Sequence, residues 1–374
     1  MSGADALGAL TPDERAFLDS LGFDADTFAS LVDGLEAGSL PPNRIAGAVT
    51  PPPPASLSTV APTGSWQGDA LLDAGRQALH AGRAALVLLN GGMATRFGGR
   101  VKGVVDALPG RSFLALQAER VRLLREETGA ELPLVLMNSF ATDAATKEHL
   151  AANDHFGLGD DGILTFVQSG NPRIRPDGSL FRDPAGGASI YGPGHGDLLP
   201  SLARSGVLAA LRARGIESLL MANVDNLGAD LDPALLGHFL ASGKQMMVEV
   251  APKLAGDVGG APAAVDGHVR IVEGFAFPEG FDHDSIPVFN TNTLWFQTAA
   301  LEREFPLRWY VVHKTAHGEP VVQFERLVGQ ASWFLPTEYV QVSRDRFLPV
   351  KRPEDLEAVR PRLRRMFGVS LRVV

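Results

Sequence analysis

The sequence contains no cysteine, which excludes disulfide bonds, thiolate metal sites and a cysteine nucleophile. It also has no apolar run near the roughly 20 residues that a membrane-spanning helix requires. The first ten residues include no basic side chain and no long apolar core, so we expect no signal peptide there. These absences favour a soluble, cytoplasmic protein that does not associate with membranes.

Excess positive charge is absent as well. The net charge is -9, and no basic stripe suited to DNA or RNA is present, so we expect no nucleic-acid partner. An anionic ligand would have to be bound by a few local cations rather than by a global field. Apolar residues make up 45% of the 374 residues, enough for one large domain with small additions or for two ordinary domains.

The beginning of the chain resembles an accessory segment. Thr11 stands three residues before Glu14, a capping-box spacing that predicts the start of a helix. A second helix is predicted near residues 28–35, and the four consecutive prolines at 51–54 predict a stiff, extended connection. We therefore assign residues 1–70 to an N-terminal helical segment and a proline-rich linker.

From residue 71 onward, short apolar runs alternate with longer helical patterns. Strands are predicted at 84–89, 134–137, 164–167, 219–224, 246–250, 268–272 and 287–296, and helices at 112–125, 198–214 and 233–243. This alternation predicts a three-layer α/β architecture with a mostly parallel mixed sheet. We assign 71–350 to this core domain and 351–374 to a C-terminal helix and tail.

One glycine-rich loop directly follows the first predicted strand of the core. Asn90, Gly91 and Gly92 let the backbone approach a ligand closely, and Arg96 and Lys102 can bind phosphate oxygens. The loop lacks the Gly-Lys-Ser/Thr ending of a P-loop and the glycine spacing of a dinucleotide fingerprint. On its own, it fits an ordinary βα turn with a solvated lysine equally well.

A resemblance to a known family changes this interpretation. Seven segments occur in the order in which that family has its motifs: 88–92 with Thr95, Gly98 and Lys102; 133–140; 168–174; 192–197; 223–229; 289–295; and 346–351. Together they resemble the eukaryotic-type UDP-glucose pyrophosphorylases, or UTP–glucose-1-phosphate uridylyltransferases, over about residues 80–360. The resemblance implies a GT-A-like (Rossmann-like) nucleotidyltransferase core. It also implies formation of a UDP-sugar and pyrophosphate from UTP and a sugar 1-phosphate, glucose 1-phosphate in the first place.

The implied reaction is an in-line attack of the sugar phosphate oxygen on the α-phosphorus of the nucleotide. Because the nucleophile is already an anion, positioning and cations matter more than a strong general base. The resemblance assigns this work to Lys102 and Lys351, with Arg96 stabilising the leaving pyrophosphate. Read alone, each would be a solvated or ion-paired surface cation.

The resemblance also implies a set of binding residues. It assigns Mg²⁺ to Asp225, an oxygen ligand of the kind that this ion prefers, although a lone aspartate there could equally cap a turn. It assigns the nucleotide to Leu89, Asn90, Gly91, Gly92, Gln168 and Gly194, and the sugar phosphate to His195, Asn223, Val224 and Asn292. Without the resemblance, Gln168 could be an exposed strand-end residue and His195 a structural histidine.

Three departures from the family leave the acceptor and the assembly open. Ala94 replaces a family glycine, residues 323–326 differ from the usual stretch, and the C-terminal β-helix domain linked to oligomerisation is expected to be missing. The alternatives are the same chemistry on N-acetylhexosamine 1-phosphate, galactose 1-phosphate or a cyclitol phosphate, or with another nucleoside triphosphate. A non-catalytic nucleotide-sugar sensor is a further alternative, and the chain could be a monomer or a dimer.

Overall fold

The computed structural model describes residues 2–94, 99–254, 256–257 and 259–368. Within these ranges the chain forms ten α-helices. They are α1 (Gly3–Gly8), α2 (Pro12–Ser20), α3 (Ala25–Glu36), α4 (Trp66–His80), α5 (Phe113–Thr128), α6 (Asp143–Ala152), α7 (Leu198–Arg204), α8 (Val207–Ala213), α9 (Pro233–Ser242) and α10 (Pro353–Phe367).

The described part of the chain contains one eight-stranded sheet and several small ones. The large sheet consists of β1 (Ser58–Thr59), β2 (Ala84–Leu89), β3 (Leu134–Asn138), β4 (Ile163–Val167), β5 (Ser218–Asn223), β6 (Met246–Pro252), β7 (Val288–Gln297) and β8 (Thr337–Gln341). Its order is β1-β8-β6-β7-β5-β2-β3-β4, and only β7 runs antiparallel to its neighbours among these strands. The predicted mostly parallel mixed sheet is therefore confirmed.

The small sheets flank this central one. One consists of three strands, Val49–Thr50, Ala261–Val265 and His268–Val272. Another is a hairpin of Tyr310–Ala316 and Glu319–Glu325. The remaining short pairs are Met93–Ala94 with Arg100–Val101, Asp106–Leu108 with Arg111–Ser112, and Asn171–Pro172 with Ile190–Tyr191.

The central strands are buried on both faces, which is why they appear in the sequence as continuous apolar runs. Along β2, Leu86 and Leu88 pack into one core with α4, α5, α9 and α10. Their neighbours Ala85 and Val87 pack into a second core with α7, α8 and the three-stranded sheet. Alternation of side chains across a strand thus builds the three layers that the sequence predicted.

The N-terminal helices pack on the hairpin rather than on the central sheet. Phe28 of α3 meets Phe324 edge-to-face, with ring centroids 6.1 Å apart. The predicted capping box is present, because Thr11 and Glu14 each accept a backbone N–H of the other. Beyond the prolines, Ser58–Thr59 pairs with β8, so the linker supplies the edge strand of the core sheet. The domain limits at residues 70 and 350 stay predictions.

One predicted helix is wrong. The stretch 198–214 forms two helices, α7 and α8, which are separated at Gly206. This glycine has a φ of +78°, a left-handed conformation that ends one helix and turns the chain into the next. The apolar spacing continues across the break because both helices face the same core, so the pattern hides the interruption.

No helix among the described residues is long and apolar enough to cross a bilayer.

Two glycines allow α4 and α9 to touch through their backbones. A Cβ on Gly75 would lie 1.7 Å from the carbonyl oxygen of Pro233, and one on Gly237 would lie 1.8 Å from that of Leu71. No side chain fits such a contact without moving a helix that also packs against the sheet. Helix propensity favours alanine at both positions, so the packing alone requires glycine here.

We therefore expect Gly75→Ala and Gly237→Ala each to lower the free energy of unfolding by about 1–3 kcal/mol, the usual cost of overpacking. Chemical denaturation followed by circular dichroism measures this. The matched control is Gly8→Ala in α1, where an added Cβ meets nothing within 4 Å and should be neutral or slightly stabilising. Equal unfolding midpoints for all three variants would contradict the contact.

Candidate active site

A cavity of about 440 Å³ opens at the carboxyl ends of the parallel strands. Leu89 and Asn223 are the last residues of β2 and β5, and Gln168 directly follows β4. In parallel α/β sheets, this edge is where ligands collect. Twelve of the predicted residues line the cavity: Leu89, Gly91, Gly92, Lys102, Gln168, Gly194, His195, Asn223, Val224, Asp225, Asn292 and Lys351.

Two predicted residues do not join them in the described cavity. Arg96 lies outside the described residues, as do Thr95 and Gly98 of the same loop. Asn90 is fully buried, and its Nδ2 donates to Oδ1 of Asn138 at 2.8 Å and to Oγ1 of Thr146 at 2.9 Å. Its side chain therefore ties the glycine loop to β3 and α6.

The side-chain amide of Gln168 lies between two glycines. A Cβ on Gly91 would be 2.8 Å from Nε2 of Gln168, and one on Gly192 would be 2.4 Å from the same atom. A side chain at either position would displace the amide from the place it occupies here. Three chain segments thus converge to fix one group that can both donate and accept hydrogen bonds.

Two lysines and one carboxylate meet at another part of the cavity. Nζ of Lys102 is 3.8 Å from Oδ2 of Asp225 and donates to the carbonyl oxygen of Val350, the residue before Lys351. Burial raises the pKa of Asp225, while the positive charges of Lys102 and Lys351 act in the opposite direction. The sequence places these three residues far apart, and the fold joins them into one charged group.

The segment that ends at Lys351 is held by a buried ion-pair network. Arg346 donates to Glu249 at 2.7 Å and to Asp230 at 2.6 Å. Oδ1 of Asn226 accepts the backbone N–H of Leu348 at 2.9 Å. Part of the role of the 223–229 and 346–351 motifs is therefore structural, because Asn226 and Arg346 hold the segment that ends at Lys351 against the sheet. A buried pair of this kind is costly to break on one side only.

The ring of His195 has a defined tautomer. Its Nδ1 accepts the backbone N–H of Val328 at 3.0 Å, so the neutral ring has its proton on Nε2. Burial lowers the pKa of His195 to about 4. At neutral pH the ring is thus an uncharged hydrogen-bond donor at the cavity wall.

A bulge in β7 brings Asn292 to the cavity. The pairing of β6 with β7 shifts register between Glu249 and Val250, and Asn292 adopts a φ of +55°. This left-handed conformation is uncommon for a residue with a side chain, although asparagine tolerates it better than most. The bulge lets Nδ2 of Asn292 donate to Oδ1 of Asn223 at 3.1 Å. A strained residue such as Asn292, hydrogen-bonded to Asn223 at the edge of a cavity, is typical of a functional site.

Several lining residues were not predicted. They are Met137, Gly192, Phe289, Asn290, Thr291, Phe347 and Pro349. All seven belong to the recognised motifs, so motif membership was the signal available for them. Phe289 also borders a second cavity of about 1100 Å³, whose wall includes Glu273. Burial raises the pKa of Glu273 to about 7, and this residue has no counterpart among our predictions.

The donor set for a metal ion is small. Asp225 is the only acid among the described residues that line the first cavity, and no group of three His, Asp or Glu residues with metal-binding geometry occurs in the described part of the chain. A single carboxylate is compatible with Mg²⁺, which commonly keeps several waters and takes substrate phosphates as further ligands.

Comparison with known sequences decides the family. The sequence profile described as UTP–glucose-1-phosphate uridylyltransferase matches residues 57–368. The chain belongs to this family. A uridylyltransferase of that name from Saccharomyces cerevisiae is 36% identical over 312 residues, which cover 78% of this chain and 62% of the relative. The one from Solanum tuberosum is 34% identical over 290 residues, covering 73% and 60%. This chain thus spans about three fifths of the length of these family members.

Solved structures of similar proteins agree with the fold. A UDP-glucose phosphorylase from Trypanosoma brucei overlaps with a TM-score of 0.76 at 26% identity, covering 96% of this chain and 78% of the other. A Leishmania major UDP-glucose pyrophosphorylase variant in complex with UDP-glucose gives 0.73 at 25% identity, covering 94% and 80%. These overlaps confirm the predicted nucleotidyltransferase fold.

The environment of His195 makes a testable prediction about pH. Its pKa is about 4 in the folded protein and 6.5 in the unfolded chain, so the unfolded chain binds more protons between these values. The stability contributed by the neutral ring is complete above about pH 6.5 and is lost as the pH falls towards 4. Histidine NMR should show one ring, absent from His195→Asn, that stays neutral at pH 5. A ring that titrates near 6.5 would contradict the geometry.

Proposed function

We propose that this chain transfers a uridylyl group from UTP to a sugar 1-phosphate, most simply glucose 1-phosphate, and releases pyrophosphate. The observation that supports this best is the meeting of Lys102, Asp225 and Lys351 in the same cavity as the clamped amide of Gln168. The charged group suits phosphates, and the amide suits the edge of uracil. Family membership and the activities for which the relatives are named support the same reaction.

The geometry suits a reaction without a general base. The attacking oxygen of the sugar phosphate is already ionised, and His195 has its Nδ1 occupied by Val328 and a pKa near 4. We assign this histidine to donating a hydrogen bond from Nε2 to a sugar phosphate oxygen. Lys102 and Lys351 then stabilise the charge that spreads over the phosphates as the leaving group departs. Asn223 and Asn292 orient the sugar phosphate beside them.

Asp225 is the residue that would hold Mg²⁺, together with substrate phosphates and water. When bound, the ion would neutralise phosphate charge and so help two polyanions to approach each other. Its carboxylate lies within 3.8 Å of Lys102, so the same group can also orient that lysine. The role of Arg96 in stabilising the leaving pyrophosphate stays a prediction.

The acceptor could differ from glucose 1-phosphate. Phe289 lines both this cavity and the second one. N-acetylhexosamine, galactose and cyclitol phosphates are tested alongside glucose 1-phosphate because Ala94 and residues 323–326 depart from the family pattern. A sensor without activity would have no need of two lysines beside one carboxylate, so we place that alternative second.

A panel of nucleotides and acceptors tests the proposal. The protein is incubated with Mg²⁺, each of the four nucleoside triphosphates and each sugar 1-phosphate, and pyrophosphate release is measured. We expect UTP with glucose 1-phosphate to give the highest kcat/KM. Tight binding of UDP-glucose without turnover of any pair would favour the sensor, and preference for another acceptor would redefine the substrate.

Removing single charges from the site should affect the rate rather than the fold. We expect Lys102→Ala and Lys351→Ala each to lower kcat by roughly a hundredfold, the scale of losing one charge-stabilising group. Asp225→Ala should shift the Mg²⁺ concentration needed for half-maximal rate upward. Lys244→Ala, a lysine that does not line the cavity, is the control. Near wild-type rates in all three site variants would show that the residues are misassigned even if the reaction is right.

A further inference from the structure

Asp197 is a fully buried carboxylate that joins three segments of the chain. Its Oδ1 accepts from Nη2 of Arg326 at 2.5 Å. Its Oδ2 accepts from the backbone N–H of Ser169 at 2.6 Å and from Oγ of Ser201 at 2.7 Å. Ser169 follows β4, Ser201 lies in α7, and Arg326 follows the hairpin. The residue is 0% exposed, so its charge is satisfied entirely by these donors.

The same region also makes close backbone contacts. The N–H of Gly196 donates to the carbonyl oxygen of Arg326 at 2.8 Å, and the N–H of Arg326 donates to that of Pro193 at 2.9 Å. A Cβ on Gly194 would lie 2.5 Å from the carbonyl oxygen of Arg326. The loop 192–196 therefore packs closely against the backbone of Arg326, whose side chain pairs with Asp197.

The position of this ion pair relative to the cavity suggests a role. Ser169, which Asp197 holds by its backbone, is the neighbour of Gln168, whose amide faces the cavity between Gly91 and Gly192. His195 has its own anchor, the N–H of Val328. The ion pair thus restrains the Gln168 side of the cavity through Ser169, whereas the His195 side is held by backbone groups of Arg326 and Val328 that a change of side chain at position 197 leaves in place.

On the far side, Arg326 contacts the N-terminal region. Its guanidinium lies 4.6 Å from the ring centroid of Trp309. Burial raises the pKa of Asp24, the N-cap of α3, but the hydrogen bonds from Thr27, followed by the charge of Arg326, lower it. Arg204 adds a second link, because it donates to both Ser201 and the carbonyl oxygen of Leu21. The N-terminal helices therefore support the same pair from behind.

We propose that Asp197 and Arg326 are positioning residues for nucleotide selection, which act by fixing the end of β4 and hence the amide of Gln168. This inference rests on the proposed uridylyl transfer. Neither side chain lines the cavity, and the effect passes through Ser169.

Asp197→Asn tests the proposal. An asparagine has one acceptor oxygen where Asp197 uses two, and its amide N–H groups must face either Arg326 or the N–H of Ser169. We expect KM for UTP to rise about three- to tenfold, the effect of losing one neutral hydrogen bond to the base. The preference for UTP over CTP should fall by a similar factor, while KM for the sugar 1-phosphate stays within about twofold.

Two further variants and one control protect the test against misfolding. Arg326→Gln leaves the contacts of Asp197 with Ser169 and Ser201 in place and should give a smaller shift in the same direction, which Arg326→Lys should partly reverse. Glu14→Gln removes another partly buried ion pair, that with Arg182 at 2.7 Å, away from the cavity. It should lower the melting temperature without changing either KM.

The outcomes separate this inference from the proposed function. If the wild-type protein turns over and Asp197→Asn keeps its KM for UTP and its UTP preference, the inference is wrong. The same holds if both KM values change together in proportion to lost stability, as in a purely structural role. If the wild-type protein binds UTP but has no activity, the proposed function fails, and calorimetric affinities for UTP and CTP in the same variants decide the inference. If it does not bind UTP, both fail.

Discussion

Parallel pairing of β2 with β3 and β5 is the constraint on which the site depends. These strands are buried on both faces, so the residues between their ends are apolar, and their polar residues, Ser218, Asn138 and Asn223, stand at a first or last position. Parallel strands all end at one edge of the sheet. The glycine loop, Gln168 and Asp225 therefore meet there without any sequence proximity, and the cavity is a consequence of the topology.

The pKa of the carboxylate at this edge depends on burial and on neighbouring positive charges, which act in opposite directions. Desolvation raises the pKa of Asp225, and Lys102 and Lys351 counter it, so removing either lysine changes the carboxylate as well as the lysine's own contacts. The ion-pair network around Arg346 and the pair of Asp197 with Arg326 lie behind the cavity wall. Each holds a segment in which a neighbouring residue lines the cavity: Phe347 follows Arg346, and Gln168 precedes Ser169, the backbone partner of Asp197.

Much of this was accessible from the sequence because local signals agreed with the fold. Six of the eight strands of the central sheet and the helix after Asp232 were predicted within a few residues, since apolar runs and caps reflect burial and orphan N–H groups directly. The edge strand β1 and its neighbour β8 were not predicted. The break between α7 and α8 at Gly206 was not predicted, because the apolar spacing continues through it. The side-chain amide of Asn90 donates to Asn138 and Thr146, a partnership that no motif reveals, and its contact with the nucleotide stays a prediction.

The sequence by itself determined the fold class, the family and the identity of most residues that line the cavity, because motif order and strand periodicity are properties of the linear chain. Only the tertiary structure decided the state of those residues: the tautomer of His195, the left-handed bulge at Asn292 and the glycine clamp on Gln168. Each of these depends on atoms from distant segments that come within hydrogen-bonding or van der Waals range. Gly91 and Gly92, which follow β2, form one wall of this site. Only the residues across the cavity show that this loop is more than an ordinary turn.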